Sequence, residues 1–434
     1  MPPTPAATAG DTTWFVQDRF GMFIHWGLYA LPARHEWVKS RELIGDDDYQ
    51  KYFDHFNPDL YDPKAWARSA REAGMKYVVL TTKHHDGFCL WDSQATDYKV
   101  TNTPWGKDLL TPFVEAFRAE GLRVGFYYSL IDWHHPEFPV DVFHPLRDQP
   151  DAAEINTQRD VSKYAAYMRD QVRELLTQFG QIDVLWTDFS YPGREYKGMA
   201  GKGHDDWQSE QLYAMIRELA PGIILNNRLD LTDIPADVHT PEQYQPTAWV
   251  QVDDKPVVWE ACQTFSGSWG YYRDEATWKS AEQLIQMLIT TVACGGNLLM
   301  NVGPTARGTF DQRALDALAT YGAWMRLHAR SIYGCTQSDF AAPAGVRYTQ
   351  TGDRLYAHIY TWPFKQVELP GLGGQVAYAQ LLNDASEVQF KEHGATFEFA
   401  EVEPTAGAVA LMLPVVKPDV VVPVVEIFLK GASQ

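Results

Sequence analysis

The sequence predicts an α/β protein: an irregular (β/α)8-type barrel followed by a C-terminal antiparallel β-sandwich. Three observations carry this. Short β-branched or aromatic runs alternate with amphipathic helical stretches as far as Cys335. No Gly-rich loop of the dinucleotide or P-loop kind follows any of those runs, which removes the main open-sheet functions. After Cys335 the helical stretches stop, and strand-like alternation broken by Gly, Pro and Asn takes over. With 434 residues the chain exceeds what one hydrophobic core usually organises. The expected division is a disordered tail at 1–11, a barrel at 12–336 and a sandwich at 337–434.

The strand-like runs lie at 20–26, 76–82, 123–129, 182–188, 223–227, 257–260 and 297–302, and the amphipathic stretches near 61–73, 107–120, 158–179, 205–220, 276–293 and 311–329. Asp62-Pro63 supplies a cap and a first-turn proline for the first helix. Such alternation implies a parallel sheet, because parallel neighbours need a crossover connection. Seven runs fit a barrel with one strand missed better than a doubly wound sheet. Between Asn227 and Val257 only loop residues occur, so the barrel is expected to be irregular on that side. In the C-terminal part, alternation at 354–361, 375–382, 396–400, 408–413 and 420–429 predicts the sandwich strands.

Composition narrows the function. A formal net charge of −19 argues against nucleic acid and anionic membrane as partners and fits a neutral substrate. No apolar run approaches the roughly 20 residues of a membrane-spanning helix. The opening Met-Pro-Pro-Thr-Pro lacks the basic and apolar regions of a signal peptide. Four sparse cysteines, none in a C-x-x-C, make neither a disulfide framework nor a zinc spacing. The expected compartment is therefore the cytoplasm. The chain carries 15 Trp, 22 Tyr and 21 Phe, enough for a large core or for stacking on sugar rings. Composition does not choose between these.

Active-site residues of such a barrel sit at the C-terminal ends of its strands. The first run ends in His25-Trp26-Gly27, with Glu36-Trp37 in the loop beyond. The second ends in Lys83-His84-His85-Asp86 and the third in Tyr127-Tyr128-Ser129, followed by His134-His135. The fourth ends in Trp186-Thr187-Asp188. Arg228 ends the fifth, whose long loop holds Glu242. Glu260 ends the sixth, with Ser268-Trp269-Gly270 after it. Hydrogen-bonding groups, carboxylates and aromatic walls gathered at one end describe a carbohydrate pocket. Glycosidic cleavage needs two carboxylates, one as nucleophile or base and one as proton donor. Asp188, at the end of a buried apolar strand, is the nucleophile candidate, its bland alternative being a cap for the next helix. Asp183 lies at the opposite end of that strand. The two His-His pairs admit a metal reading, but adjacent strand residues point to opposite faces, so one His of each pair should leave the site.

These motifs resemble the α-L-fucosidases of glycoside hydrolase family 29. The matching stretches are Phe20-Gly-Met-Phe-Ile-His-Trp-Gly27, Lys83-His-His-Asp-Gly-Phe88, Trp186-Thr-Asp188, Trp259-Glu260, Ser268-Trp-Gly-Tyr271 and Asn297-Leu-Leu-Met-Asn-Val-Gly-Pro304, in order along the chain. The resemblance implies a retaining exo-α-L-fucosidase that removes terminal fucose from oligosaccharides or glycoconjugates without cofactor or metal. It aligns Asp188 with the nucleophile, and His25, Glu36, Trp37, His84, His85, Tyr128 and Arg228 with sugar-binding positions. Trp186 and Trp269 align with aromatic walls. Glu242 and Glu260 both remain candidates for the acid/base, with the loop-borne Glu242 favoured. Two rivals stand beside this reading: another barrel glycosidase, such as a galactosidase, and a catalytically silent sugar-binding relative.

Overall fold

The computed structural model describes residues 3–392 and 406–431. Seven parallel strands form one curled sheet: β1 (Phe20–Ile24), β2 (Tyr77–Lys83), β3 (Arg123–Ser129), β4 (Val184–Asp188), β5 (Ile224–Leu225), β6 (Glu260–Thr264) and β7 (Asn297–Val302). They run in the order β6-β7-β1-β2-β3-β4-β5. Helices α1 (Pro63–Glu72), α2 (Leu110–Ala119), α3 (Val161–Gln178), α4 (Ser209–Leu219) and α5 (Ala281–Ala293) return the chain between strands, and α6 (Gln312–His328) follows the last. Their starts are written locally. The Asp62 carboxylate accepts from the Lys64 and Ala65 amides ahead of Pro63, and Ser280 and Gln283 cap each other at α5.

Strand parity divides the barrel into two cores. Phe23, Tyr77, Val79, Tyr127, Val184, Trp186, Cys262 and Leu299 fill the interior, closed below by Phe15. Their neighbours Met22, Val78, Leu80, Phe126, Tyr128 and Leu185 pack outward among helix residues such as Phe113, Leu175 and Leu288. With both faces covered, β1, β2 and β4 are buried at every residue.

The edge strands β5 and β6 are joined by an extended segment rather than by each other. The Asp237 and Val238 amides donate to the Leu225 carbonyl, and the His239 amide to Val258. Glu260 donates back to His239, and Cys262 to Pro241. Residues 237–243 thus fill the gap on the side expected to be irregular, with the parallel bridges Asn226–Val238, His239–Trp259 and Glu242–Cys262.

Two expectations need correction. The sixth strand begins at Glu260 instead of ending there: the apolar run 257–260 leads into a strand whose polar residues Gln263 and Thr264 are also buried. The N-terminal segment, expected to be disordered through residue 11, is held from Thr8 onward. The Gly10 amide donates to Asp237 Oδ1 at 2.7 Å and the Asp11 amide to the Gly222 carbonyl. A Cβ on Gly10 would stand 2.5 Å from the Ile223 carbonyl oxygen, so only glycine fits.

The C-terminal part is two antiparallel sheets. Strands β8 (Val346–Thr351), β9 (Arg354–Ile359), β10 (Gln366–Leu369), β11 (Val376–Leu381), β12 (Phe390–Glu392), β13 (Val409–Met412) and β14 (Val424–Leu429) form sheets ordered β8-β9-β14-β11 and β10-β13-β12. Leu355, Ile359, Leu369, Ala379, Leu411 and Ile427 make the core between them. The expected strand at 396–400 lies outside the described residues. Trp324 Nε1 donates to the Val422 carbonyl and Arg330 pairs with Glu426, fastening this unit to the barrel through α6 and the turn after it.

Candidate active site

The C-terminal ends of β1 to β4 converge with the loops after β1, β5 and β6 on one narrow pocket. It is lined by Phe23, His25, Glu36, Trp37, His84, His85, Tyr127, Trp186, Asp188, Phe189, Glu242, Cys262 and Trp269. Asp188 ends β4 and is 8% exposed. Its Oδ2 accepts from the Tyr127 hydroxyl and its Oδ1 from Arg228 Nη1, each at 2.7 Å. Burial pushes this carboxyl up to about 6, against the downward pull of the Arg228 guanidinium.

Arg228 organises the mouth. Besides Asp188 it reaches Glu242 Oε2 through Nη2 at 2.9 Å and the Thr240 hydroxyl through Nε. Its guanidinium lies over the Trp186 ring at 4.6 Å. The Glu242 side chain is 41% exposed against 11% for that of Asp188, so the two carboxylates share one cation from opposite sides of the water boundary.

The histidines are held as neutral groups. Asn301 Nδ2 donates to the Trp269 carbonyl, which turns its Oδ1 toward His25 Nδ1 at 2.6 Å. His25 therefore carries its proton on Nδ1 and keeps Nε2 as an acceptor. Burial pulls it down to about 3. The Ser129 hydroxyl donates to the Ile131 carbonyl, so it accepts from His85 Nδ1 at 2.6 Å, leaving His85 Nε2 as a second acceptor 3.9 Å from Asp188. Burial also drives His84 and His85 well below the usual imidazole range. The geometry thus gives His25 and His85 acceptor nitrogens. Glu36 is buried beside them, its Oε2 taking the Gly270 amide at 2.9 Å. Trp37 packs on His85 and Phe189, and Trp269 on His25.

Both members of the pair His84-His85 line the pocket, although strict alternation would have sent one away. The β2–β3 register shifts between Thr81 and Lys83, and both histidines lie beyond the end of β2, where strand parity no longer rules. His134 and His135 go elsewhere, stacking on Tyr98 and Tyr167. Among the described residues no group of three or more His, Cys, Asp or Glu is arranged to hold a metal ion.

Three predicted site residues do not line the pocket: Arg228 stands at its mouth, on the cleft beyond, and Tyr128 and Glu260 lie behind its walls. The Tyr128 hydroxyl donates to Gln171 Oε1 of α3, on the outer side of the sheet. Its neighbour Tyr127 faces inward, because Tyr127 and Trp186 are register partners on the interior face. Gly125 marks that parity in the sequence: a Cβ there would meet Val184 and Val79 in the barrel interior. Glu260 starts β6 and lies below the pocket, accepting from the Tyr77 hydroxyl and, at 3.3 Å, from Trp186 Nε1. Burial pushes it up to about 7. It supports the Trp186 wall from behind. Phe189 was missed. It follows Asp188 with a φ of 87°, a strained turn for a bulky residue that swings its ring into the site.

A narrow polar pocket with two carboxylates on one guanidinium, walled by aromatic rings, suits cleavage of a glycosidic bond. The comparisons agree. A family model described as Alpha-L-fucosidase matches residues 5–330. The plasma alpha-L-fucosidase of Rattus norvegicus is 30% identical over 433 residues, covering 92% of this chain and 86% of its own. The alpha-L-fucosidase isoenzyme 1 from Paenibacillus thiaminolyticus has a TM-score of 0.90 and 46% identity, covering 97% of this chain and 99% of its own. A GH29 alpha-L-fucosidase from Bacteroides thetaiotaomicron, solved as a trapped covalent intermediate with 2-fluoro-fucosyl fluoride, has a TM-score of 0.83 and 28% identity, covering 99% and 98%.

Proposed function

We propose that this chain, which belongs to the α-L-fucosidase family of glycoside hydrolases, is a retaining exo-α-L-fucosidase with Asp188 as nucleophile and Glu242 as acid/base. The observation that carries the roles is the Arg228 bridge, which holds the Asp188 and Glu242 carboxylates at one pocket mouth. Two carboxylates bound to one guanidinium place a nucleophile and a proton donor at the same pocket mouth, which supports the double displacement.

Asp188 Oδ attacks C1 of the sugar while Glu242 gives its proton to the glycosidic oxygen and the aglycone leaves as an alcohol. Glu242, now a carboxylate, takes a proton from water; the water oxygen attacks C1, the ester bond to Asp188 breaks, and α-L-fucose departs. Arg228 and the Tyr127 hydroxyl both stabilise the anionic form of Asp188, the form that attacks. Neutral His25 and His85 offer acceptors, and Glu36 a carboxylate, to the sugar hydroxyls. The aromatic lining gives the C5 methyl an apolar surface that a hexose hydroxymethyl would waste. Packed Phe23, Tyr127 and Trp186 close the pocket below, which supports the exo part of this reading.

Hydrolysis of an aryl α-L-fucoside followed by NMR tests this. The α anomer of free fucose should appear first and then mutarotate; first appearance of the β anomer removes the double displacement. Faster turnover of an aryl β-D-galactoside would transfer the reading to the rival glycosidase.

A further inference from the structure

The narrow pocket opens onto a cleft of about 580 Å³. Phe189 and Glu242 line both, so the cleft begins where the proposed proton donor stands and holds whatever leaves with the glycosidic oxygen. Phe143, Phe189 and Tyr191 form one wall, with ring centroids 5.0 to 5.3 Å apart. That wall suits the C–H face of a second sugar.

The charged groups on the cleft are committed, with one exception. Arg228 is spent on Asp188, Glu242 and Thr240. Asp230 accepts from the His204 amide and faces the His204 ring at 3.8 Å. Arg194 is exposed, lines the cleft, and its guanidinium has no partner among the described residues. Its backbone, by contrast, is pinned. The Arg194 amide donates to the Tyr191 carbonyl, and its own carbonyl accepts from Gly201 at 2.7 Å. A Cβ on Gly201 would stand 2.1 Å from the Tyr191 carbonyl oxygen, so the closing turn is tight. The two-stranded ribbon between them, Glu195–Tyr196 against Met199–Ala200, is anchored through Tyr196 and Lys197 to Asp148. A fixed backbone thus presents a solvent-exposed planar donor, unpaired by any described protein group, beside the leaving-group site. The net charge of −19 by itself favours neutral substrates, so an acidic aglycone would be held only beside such a local cation.

Resting on the fucosidase reading above, we propose that Arg194 is a specificity residue of the leaving-group side that selects fucose attached to an acidic sugar, one bearing a carboxylate or a sulfate. The guanidinium has five donors and no acceptor, and its fork matches these oxyanions in bidentate fashion, a fit that a neutral hydroxyl cannot offer.

The test compares methyl glycosides of α-L-fucosyl-galactose in three forms that differ only at galactose C6: hydroxymethyl, carboxylate and sulfate ester. Each is made with the 1→2, 1→3 and 1→4 linkage, and 4-nitrophenyl α-L-fucoside serves as reference. Wild type should turn over an acidic form with kcat/KM about five- to tenfold above its neutral counterpart, an advantage that shrinks with added salt. The acid-to-neutral ratio should collapse toward one in Arg194→Ala and fall below one in Arg194→Glu. The carboxylate and sulfate arms show which oxyanion is preferred. Equal treatment of acidic and neutral forms by wild type, equal losses on both in Arg194→Ala, or release of fucose from the nitrophenyl reference but from no acidic disaccharide would each overturn the proposal. If wild type does not cleave the nitrophenyl fucoside either, the fucosidase reading itself falls.

Discussion

The two sides of the barrel mouth are built differently. On one side β1 to β4 run as continuous buried strands and end in His25, His84, His85 and Asp188, each at most 8% exposed and most locked by an inner partner. On the other side β5 has two residues, its neighbour is the extended segment 237–243, and Glu242 stands on a loop open to the cleft, which Arg194 lines from the loop after β4. In the proposed reading the regular side carries groups that must not move, because the sugar and the attacked carbon are the same in every substrate, and the irregular side carries groups that meet the aglycone and water. A proton donor half in solvent can exchange its proton between the two steps, which a buried carboxyl does slowly.

If this division is right, damage to the two sides should differ in kind. The largest effect is expected for Asp188→Gly. Loss of the nucleophile should lower kcat/KM roughly ten-thousandfold with every leaving group, and azide should restore part of it with β-fucosyl azide as product. Retention of a tenth of wild-type activity would unseat Asp188. Glu242→Ala comes next. On fucosides of ordinary alcohols the loss should reach about a hundred- to ten-thousandfold, yet be far smaller for nitrophenol, which needs no proton to leave. Azide should there yield the retained α-fucosyl azide. Leaving-group dependence in Glu260→Ala and not in Glu242→Ala would exchange the two roles.

A smaller effect separates the neighbouring tyrosines. Tyr127→Phe removes the hydroxyl that holds Asp188 and should lower kcat/KM by about ten- to a hundredfold. Because that hydrogen bond lowers the Asp188 pKa, its loss should move the acid limb of the pH profile to higher pH. Tyr128→Phe, which breaks only the contact with Gln171, should lower Tm and leave kcat/KM within about twofold. Matching losses in the two variants would mean that the inner and outer faces are less separate than the packing indicates.

The smallest effect concerns Glu260. Its folded-state pKa, about 7, lies above the unfolded value of 4.5. The folded state therefore holds this proton more tightly, and stability contributed by the protonated form is full below 4.5 and lost as pH rises toward 7. Glu260→Gln should flatten the decline of Tm between those pH values. A Tm curve parallel to wild type would mean that Glu260 is already ionised in the fold.

Much of this was legible in the linear chain. Alternating apolar runs and capped helices specify a parallel barrel, because both signals are local: the period of the side chains and the chemistry of helix starts. Asp188, His25 and the aromatic walls were legible for a related reason, since they end strands whose apolar runs mark their own limits. Tyr127 was readable in principle, through the inward parity set by Gly125. Glu260 was misplaced because Val257-Val258-Trp259 looks like the body of a strand, while the true strand carries Gln263 and Thr264 and owes its burial to β7 alongside.

What the sequence determined by itself, then, is the architecture and the chemical inventory of the mouth, since periodicity, capping and strand ends depend on residues a few positions apart. Tertiary structure alone decided which of two carboxylates faces the pocket and that both His84 and His85 enter it. It also decided that residues 237–243 bridge the open edge between β5 and β6, and which ring nitrogens remain as acceptors. Each of those outcomes turns on partners far away in the chain, such as Asn301 for His25, Asp188 for Arg228 and Tyr77 for Glu260. No local pattern encodes the hydrogen bond that will satisfy a buried polar atom across the barrel.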